Sequence, residues 1–79
     1  MKEKDSGLTR FIKKSLDTYF ANVGDEHITG LHGMVIDTVE RTLIADILER
    51  TGGNQSLAAK LLGINRNTLR AKMKLFKLL

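Results

Sequence analysis

The sequence contains no cysteine, no proline and no tryptophan, and only four of its 79 residues are aromatic. Without Cys there is no disulfide framework, no thiolate metal site and no cysteine nucleophile. Without Pro, and with abundant Leu, Ile, Ala and Lys, the backbone is expected to be mostly helical. Four scattered aromatics are too few to form a platform for stacking single-stranded bases. No apolar run approaches the roughly 18 residues of a membrane span. A bulky Trp/Phe-rich face for an interfacial membrane helix is also missing. The opening MKEKDSG leads into a mixed polar segment and not an apolar h-region, so no secretory signal is expected. No Ser/His/Asp constellation, phosphate loop or carboxylate pair points to catalysis, so neither an enzyme nor a cofactor is expected. His27 and His32, beside Asp25 and Glu26, read as solvated loop residues and not as a metal site. Together these absences predict a cytoplasmic protein.

What is present is charge of one sign in one place. Residues 51–79 hold six Lys or Arg and no Asp or Glu, while the whole chain carries +4, so residues 1–50 sum to −2. Such segregation is the electrostatic footprint of a polyanion-binding surface. The length allows one domain, too short for a large core, and helical chains of this size commonly gain stability by oligomerising.

The periodicity predicts an all-α fold of four helices. Residues 1–7 read as a flexible N-terminus. A first helix spans about Leu8 to Val23, where Leu8, Phe11, Ile12, Leu16, Tyr19, Phe20 and Val23 recur at helical steps. Ser6 or Thr9 is placed to cap its start, and Gly24 to end it. Tyr19 and Phe20 are assigned to a core or a dimer interface. A second helix is placed at Gly30 to Arg50, with Thr29 as its N-cap. Its apolar residues include Leu31, Val35, Val39, Leu43, Ile44 and Ile47, an arc too wide for one stripe. One short helix and a small neighbouring motif cannot cover that arc. The expected solution is a homodimer whose residues 8–50 pack as a four-helix core, with those six residues at the interface. Glu40 and Arg41 are positioned to pair across it.

Residues 51–79 form the second region, with its motif at 55–74. Gly52-Gly53 stops the second helix. Asn54 caps a third at about Gln55 to Leu62, Gly63 supplies a positive φ at the turn, and Asn65 caps a fourth at about Arg66 to Phe76. Ala58, Ala59, Leu62, Ile64, Leu69 and Met73 are expected to hold the third helix against the fourth. The spacing Ala59, Gly63, Leu69 is the skeleton of a helix-turn-helix. The exposed side chains of this pair are almost all cationic or amide, which suits a DNA major groove. Arg66, at the first position of the fourth helix, can reach O6 and N7 of guanine together. Asn65 is expected to cap, a role compatible with a DNA contact but complete without one. Thr68 and Arg70 are expected at phosphate, as are the free N–H groups at both helix starts. No carboxylate lies near Lys60, Lys72, Lys74 and Lys77 in this stretch, which points them toward phosphate as well.

At these residues the chain resembles a known family. VERTLIADILERTGGNQSLAAKLLGINRNTLRAKMK is similar to the C-terminal half of Fis, the factor for inversion stimulation, and equally to the DNA-binding domain that ends NtrC-type activators of sigma-54 promoters. The resemblance covers about Leu8 to Leu79. It implies homodimers of four-helix subunits that bend double-stranded DNA, in the bacterial nucleoid for a Fis-like protein. It also implies DNA contacts from Asn65, Arg66, Asn67, Thr68 and Arg70, phosphate contacts from Asn54 and Ser56, and backbone contacts from Lys72 and Lys74. RNA polymerase is an implied partner through the turn after the second helix, where Gly52 stands in place of the Arg that Fis uses. Ala71 and Leu75 replace two Fis lysines. Only seven residues precede the first helix, so the β-hairpin arm that stimulates DNA invertases, and with it that activity, is not expected.

Two versions of the leading reading stay open: a free-standing Fis-like regulator, slightly favoured by Met1 and the N-terminal segment, and the DNA-binding domain of a larger NtrC-type activator. The competing class is a protein-interaction module whose basic face docks an acidic partner.

Overall fold

The computed structural model describes residues 6–23 and 29–79. They form four helices, α1 (Gly7–Val23), α2 (Leu31–Arg50), α3 (Gln55–Leu62) and α4 (Arg66–Leu75), and no strand. The expectations for Gly24, Asp25, Glu26 and His27 fall outside the described residues.

Local chemistry accounts for most of the boundaries. Ser6, not Thr9, caps α1: its hydroxyl accepts from the Thr9 N–H at 3.2 Å. Asn54 Oδ1 accepts from the Leu57 N–H at 3.0 Å, and Asn65 Oδ1 accepts from the Asn67 N–H at 2.7 Å. Each satisfies one of the orphan donors at a helix start. The start of α2 differs from expectation. Gly30, not Thr29, is its N-cap; it is left-handed with φ 72°, and no side chain caps the helix. The Gly30 carbonyl accepts the first helical bond, from Met34 N–H at 3.1 Å, which puts Thr29 one residue too early to reach the helix.

Three helices end in one way. After α2, Gly53 N–H donates to Leu48 O (2.8 Å) and Gly52 N–H to Glu49 O (3.1 Å). After α3, Ile64 N–H donates to Ala59 O (3.1 Å) and Gly63 N–H to Lys60 O (3.2 Å). After α4, Leu78 N–H donates to Met73 O (2.7 Å) and Lys77 N–H to Lys74 O (3.1 Å). These are Schellman caps, which need one left-handed residue each. Gly52 (φ 64°) and Gly63 (φ 75°) supply it without a Cβ clash; at the third end the left-handed residue is Lys77, φ 60°.

The core lies where the C-terminal half of α2 meets α3 and α4. Ile44, Ala58, Ala59, Leu69, Met73 and Phe76 are buried, with Ile47, Leu48, Leu62, Ile64 and Leu78 packed on them. All six residues expected to join α3 to α4 belong to this cluster. Ala58 and Ala59 are small enough to let the helices cross closely, and Leu69 fills the crossing. Ile44 and Ile47 are the correction. Ile44 is buried in its own chain's core and Ile47 packs, partly buried, against it, because α3 and α4 fold back under the end of α2. At 100° per residue Ile44 lies on the side of α2 opposite Leu31, Val35 and Val39.

The other end of the molecule is unlike this. α1 has no buried residue. It runs beside the N-terminal half of α2, and Phe11, Ile12, Leu16 and Tyr19 share a shallow apolar groove with Met34, Val35 and Val39. Phe11 stays 68% exposed and Leu43 48%. Tyr19 and Phe20 stack edge to face at 5.8 Å, outside the buried core, so of the two places expected for them the core is not the one they take.

Candidate nucleic-acid interface

α4 is amphipathic about its own axis. Leu69 and Met73, with Phe76 just beyond, face the core. At helical spacing the opposite side carries Asn67, Ala71 and Lys74, all exposed. Arg66 stands at the first position of the helix, directly after the Asn65 cap, and is exposed there. Thr68 is exposed as well. The start of α3 lies beside this surface. Gln55, between Asn54 and Ser56, accepts a hydrogen bond from Arg70 Nη1 at 3.0 Å. The contact brings the first turn of α3 and the middle of α4 onto one continuous polar face.

The expected residues therefore divide by role. Asn54, Ser56, Asn65, Arg66, Asn67, Thr68, Arg70 and Lys74 are all exposed and belong to the surface formed by the two helix starts and the outer side of α4. Lys72 departs from expectation. Its Nζ lies 3.0 Å from Oε2 of Glu40, and both side chains are 31% exposed. The carboxylate missing from its own neighbourhood in the sequence comes from the middle of α2. Glu40 and Arg41 thus have partners within the chain: the Arg41 guanidinium sits 5.2 Å from the centre of the Phe76 ring, within cation–π range. Gln55 was not anticipated. Its partner Arg70 is remote in sequence, so no periodicity could have revealed it; the only hint was its place between two polar residues at a helix start.

Among the described residues, Arg66, Lys60, Lys74 and Lys77 make no ion pair or side-chain hydrogen bond. Exposed cations without ion-pair partners attract a polyanion and can exchange their counterions for phosphate. At the end of α2 the charges are arranged differently. Arg50 pairs with Asp46 one turn earlier, and that hydrogen bond, with the carboxylate charge, holds the guanidinium above its ordinary pKa. The turn after α2 is closed by backbone bonds and by Thr51 Oγ1, which donates to Ile47 O at 3.0 Å. Gly52 holds the left-handed place there, which explains why a glycine suits this position better than an arginine.

No group of His, Cys, Asp or Glu among the described residues is placed to hold a metal ion. None of the described helices is long and apolar enough to cross a membrane.

Comparison with known proteins matches this architecture. The family model described as bacterial regulatory protein, Fis family, covers residues 35–76, which run from α2 to the Schellman cap of α4. A Fis-like DNA-binding protein of Ralstonia nicotianae is 46% identical over 66 residues, spanning 84% of this chain and 86% of the relative. One from Neisseria meningitidis serogroup A is 39% identical over 66 residues, with 84% of each covered. The DNA-binding protein Fis of Buchnera aphidicola is 38% identical over 71 residues, 90% of this chain and 72% of that protein. With α3, the turn and α4 all falling inside the matched stretch, the chain belongs to the Fis family of bacterial regulatory proteins and is not an enzyme.

Proposed function

We propose that the protein is a homodimeric regulator that binds double-stranded DNA sequence-specifically through α4. The observation that carries this reading is the exposed surface of α4: Arg66 at its start and Asn67, Thr68, Arg70 and Lys74 along it, on a helix fixed from behind by Leu69 and Met73. α4 enters the major groove by its N-terminal end, where Arg66 reads a guanine and Asn65 and Asn67 flank it. Asn54, Ser56 and the N–H groups at the start of α3 engage phosphate.

The dimer uses the uncovered apolar surface of α1 and of α2, including Leu31, Val35 and Val39 in its N-terminal half and Leu43 just beyond. Ile44 and Ile47 support the helix-turn-helix instead. Pairing two such surfaces presents two copies of α4, and a two-fold protein fits a roughly palindromic site. Where the two helices stand closer than one duplex turn, the DNA bends to meet both. Residues 8–50 carry assembly, with the end of α2 also bracing the helix-turn-helix, and residues 51–79 carry DNA binding, in the bacterial nucleoid.

The test has two arms. Fluorescence anisotropy compares a duplex recovered from a randomised pool by this protein with a scrambled duplex, across a salt series. Sedimentation equilibrium gives the assembly state at micromolar concentration. Equal affinity for the two duplexes sinks the sequence-specific reading, and a stable monomer sinks the dimer.

A further inference from the structure

α2 grips α4 at two points with two consecutive residues. Glu40 binds Lys72 at 3.0 Å, and Arg41 lies over the Phe76 ring at 5.2 Å. Lys72, on a flank of α4, and Phe76, just beyond its end and facing the core, are one turn apart. Glu40 and Arg41 flank Ile44 on the side of α2 that supports the core. Two contacts a turn apart along α4 resist both its rotation and its sliding against α2. The apolar core alone does this poorly, because apolar contacts are non-directional. On the opposite flank Arg70 is tied to Gln55. The outer side of α4 between these ties carries Asn67 and Lys74, with Arg66 at the start of the helix.

We propose that Glu40 is a positioning residue for DNA recognition. It acts through Lys72 to set the angle at which α4 meets the groove, so that Lys72 serves as a strut and not as a phosphate contact. The proposal rests on the DNA-binding reading above. Lys72 sits on the flank of α4 turned toward α2, away from the outward line of Asn67, Ala71 and Lys74, and is only 31% exposed. A half-buried pair at a seam between two helices loses less to solvent screening than a surface pair does. Base reading depends on the placement of a few side chains, whereas phosphate attraction tolerates small rotations. Loss of the strut should therefore lower discrimination between duplexes more than overall affinity.

The experiment compares Glu40→Gln, Lys72→Met and the charge-swapped double variant Glu40→Lys with Lys72→Glu. Each is titrated against the duplex selected by the wild-type protein and against its scrambled version, across a salt series. Circular dichroism melts confirm folding. The strut predicts that each single variant lowers the selected-to-scrambled affinity ratio by about fivefold or more. It also predicts that the swapped pair, whose net charge equals the wild type's, restores most of that ratio and keeps the wild-type salt slope. Two results overturn it: single variants that bind with an unchanged ratio, or a swapped pair that stays defective while Lys72→Met weakens both duplexes equally and flattens the salt slope by about one phosphate per subunit. If a single variant melts early, the swapped pair decides alone. A wild-type protein that selects no duplex fails the DNA-binding reading itself, a result distinct from a failed strut.

Discussion

Lys77→Gly should stabilise the protein, although it removes a side chain. Lys77 holds the left-handed position of the cap after α4, φ 60°, and among the described residues it is the only non-glycine with positive φ. Its N–H and that of Leu78 close the cap on Lys74 O and Met73 O. For a residue with a Cβ the left-handed conformation costs roughly 1–2 kcal/mol. Glycine removes that cost but makes the unfolded chain more flexible, which returns roughly 0.5–1 kcal/mol. The net gain is about 0.5–1 kcal/mol. For a chain this short each kcal/mol moves Tm by about 4–8 °C, so the expected rise is about 2–8 °C. The assay is a thermal melt by far-ultraviolet circular dichroism at one fixed protein concentration, since association also shifts Tm. Lys77→Ala is the control. It loses the same long side chain but keeps the Cβ, so its melt should not rise. A Lys77→Gly protein that melts at or below the wild type, with the alanine control unchanged, would refute the reasoning, because the conformation would then carry no recoverable strain.

Arg66→Ala should lower affinity for the selected duplex by about 1–3 kcal/mol per subunit and relax preference at one symmetric base pair. Lys74→Ala should instead weaken all duplexes alike and reduce the salt slope by about one phosphate per subunit. Equal weakening of both duplexes by Arg66→Ala, read by anisotropy, would reduce Arg66 to a phosphate contact. Val39→Asp should dissociate the dimer while leaving the α2–α4 core folded, whereas Ile44→Asp, which puts an unpaired carboxylate into that core, should unfold it. Sedimentation together with melting separates these two outcomes, and a Val39→Asp protein that remains dimeric would contradict the placement of the interface. Asn65→Ala should cost about 1 kcal/mol of stability through loss of the bond to Asn67 N–H, measured by urea denaturation.

The parts of this molecule legible in its sequence are those set within one helical turn. Asn54, Gly63 and Asn65 announced the bounds of α3 and α4, because a cap acts on the three residues beside it. The small residues Ala58 and Ala59 and the large Leu69 identified the crossing for a similar reason: their spacing leaves few ways to pack. The parts that were not legible are contacts between distant residues. Lys72 looked free because its own stretch has no acid, and its partner is on α2. Ile44 looked like one more residue in a wide apolar arc. Nothing in that arc distinguishes the side covered by α3 and α4 from the side left bare. The start of α2 was misplaced by a local ambiguity, since Thr29 is a good cap by type but Gly30 takes the position.

On the proposed dimer, the bareness of α1 would make abundance a control variable. A helix of 17 residues with no buried side chain is marginal by itself in water. On the proposed dimer, its order comes from the second copy, so assembly and the completion of folding are one step. Below the dimer's dissociation constant the binding-competent species grows as the square of total chain concentration, and a tenfold change in synthesis gives about a hundredfold change in dimers. A cell that makes more or less of this chain would then move its DNA occupancy steeply, with no small-molecule signal required. Unpaired chains would keep the firm α2–α4 core but expose a half-ordered apolar end to proteases, so scarcity would shorten their lifetime and sharpen the threshold further.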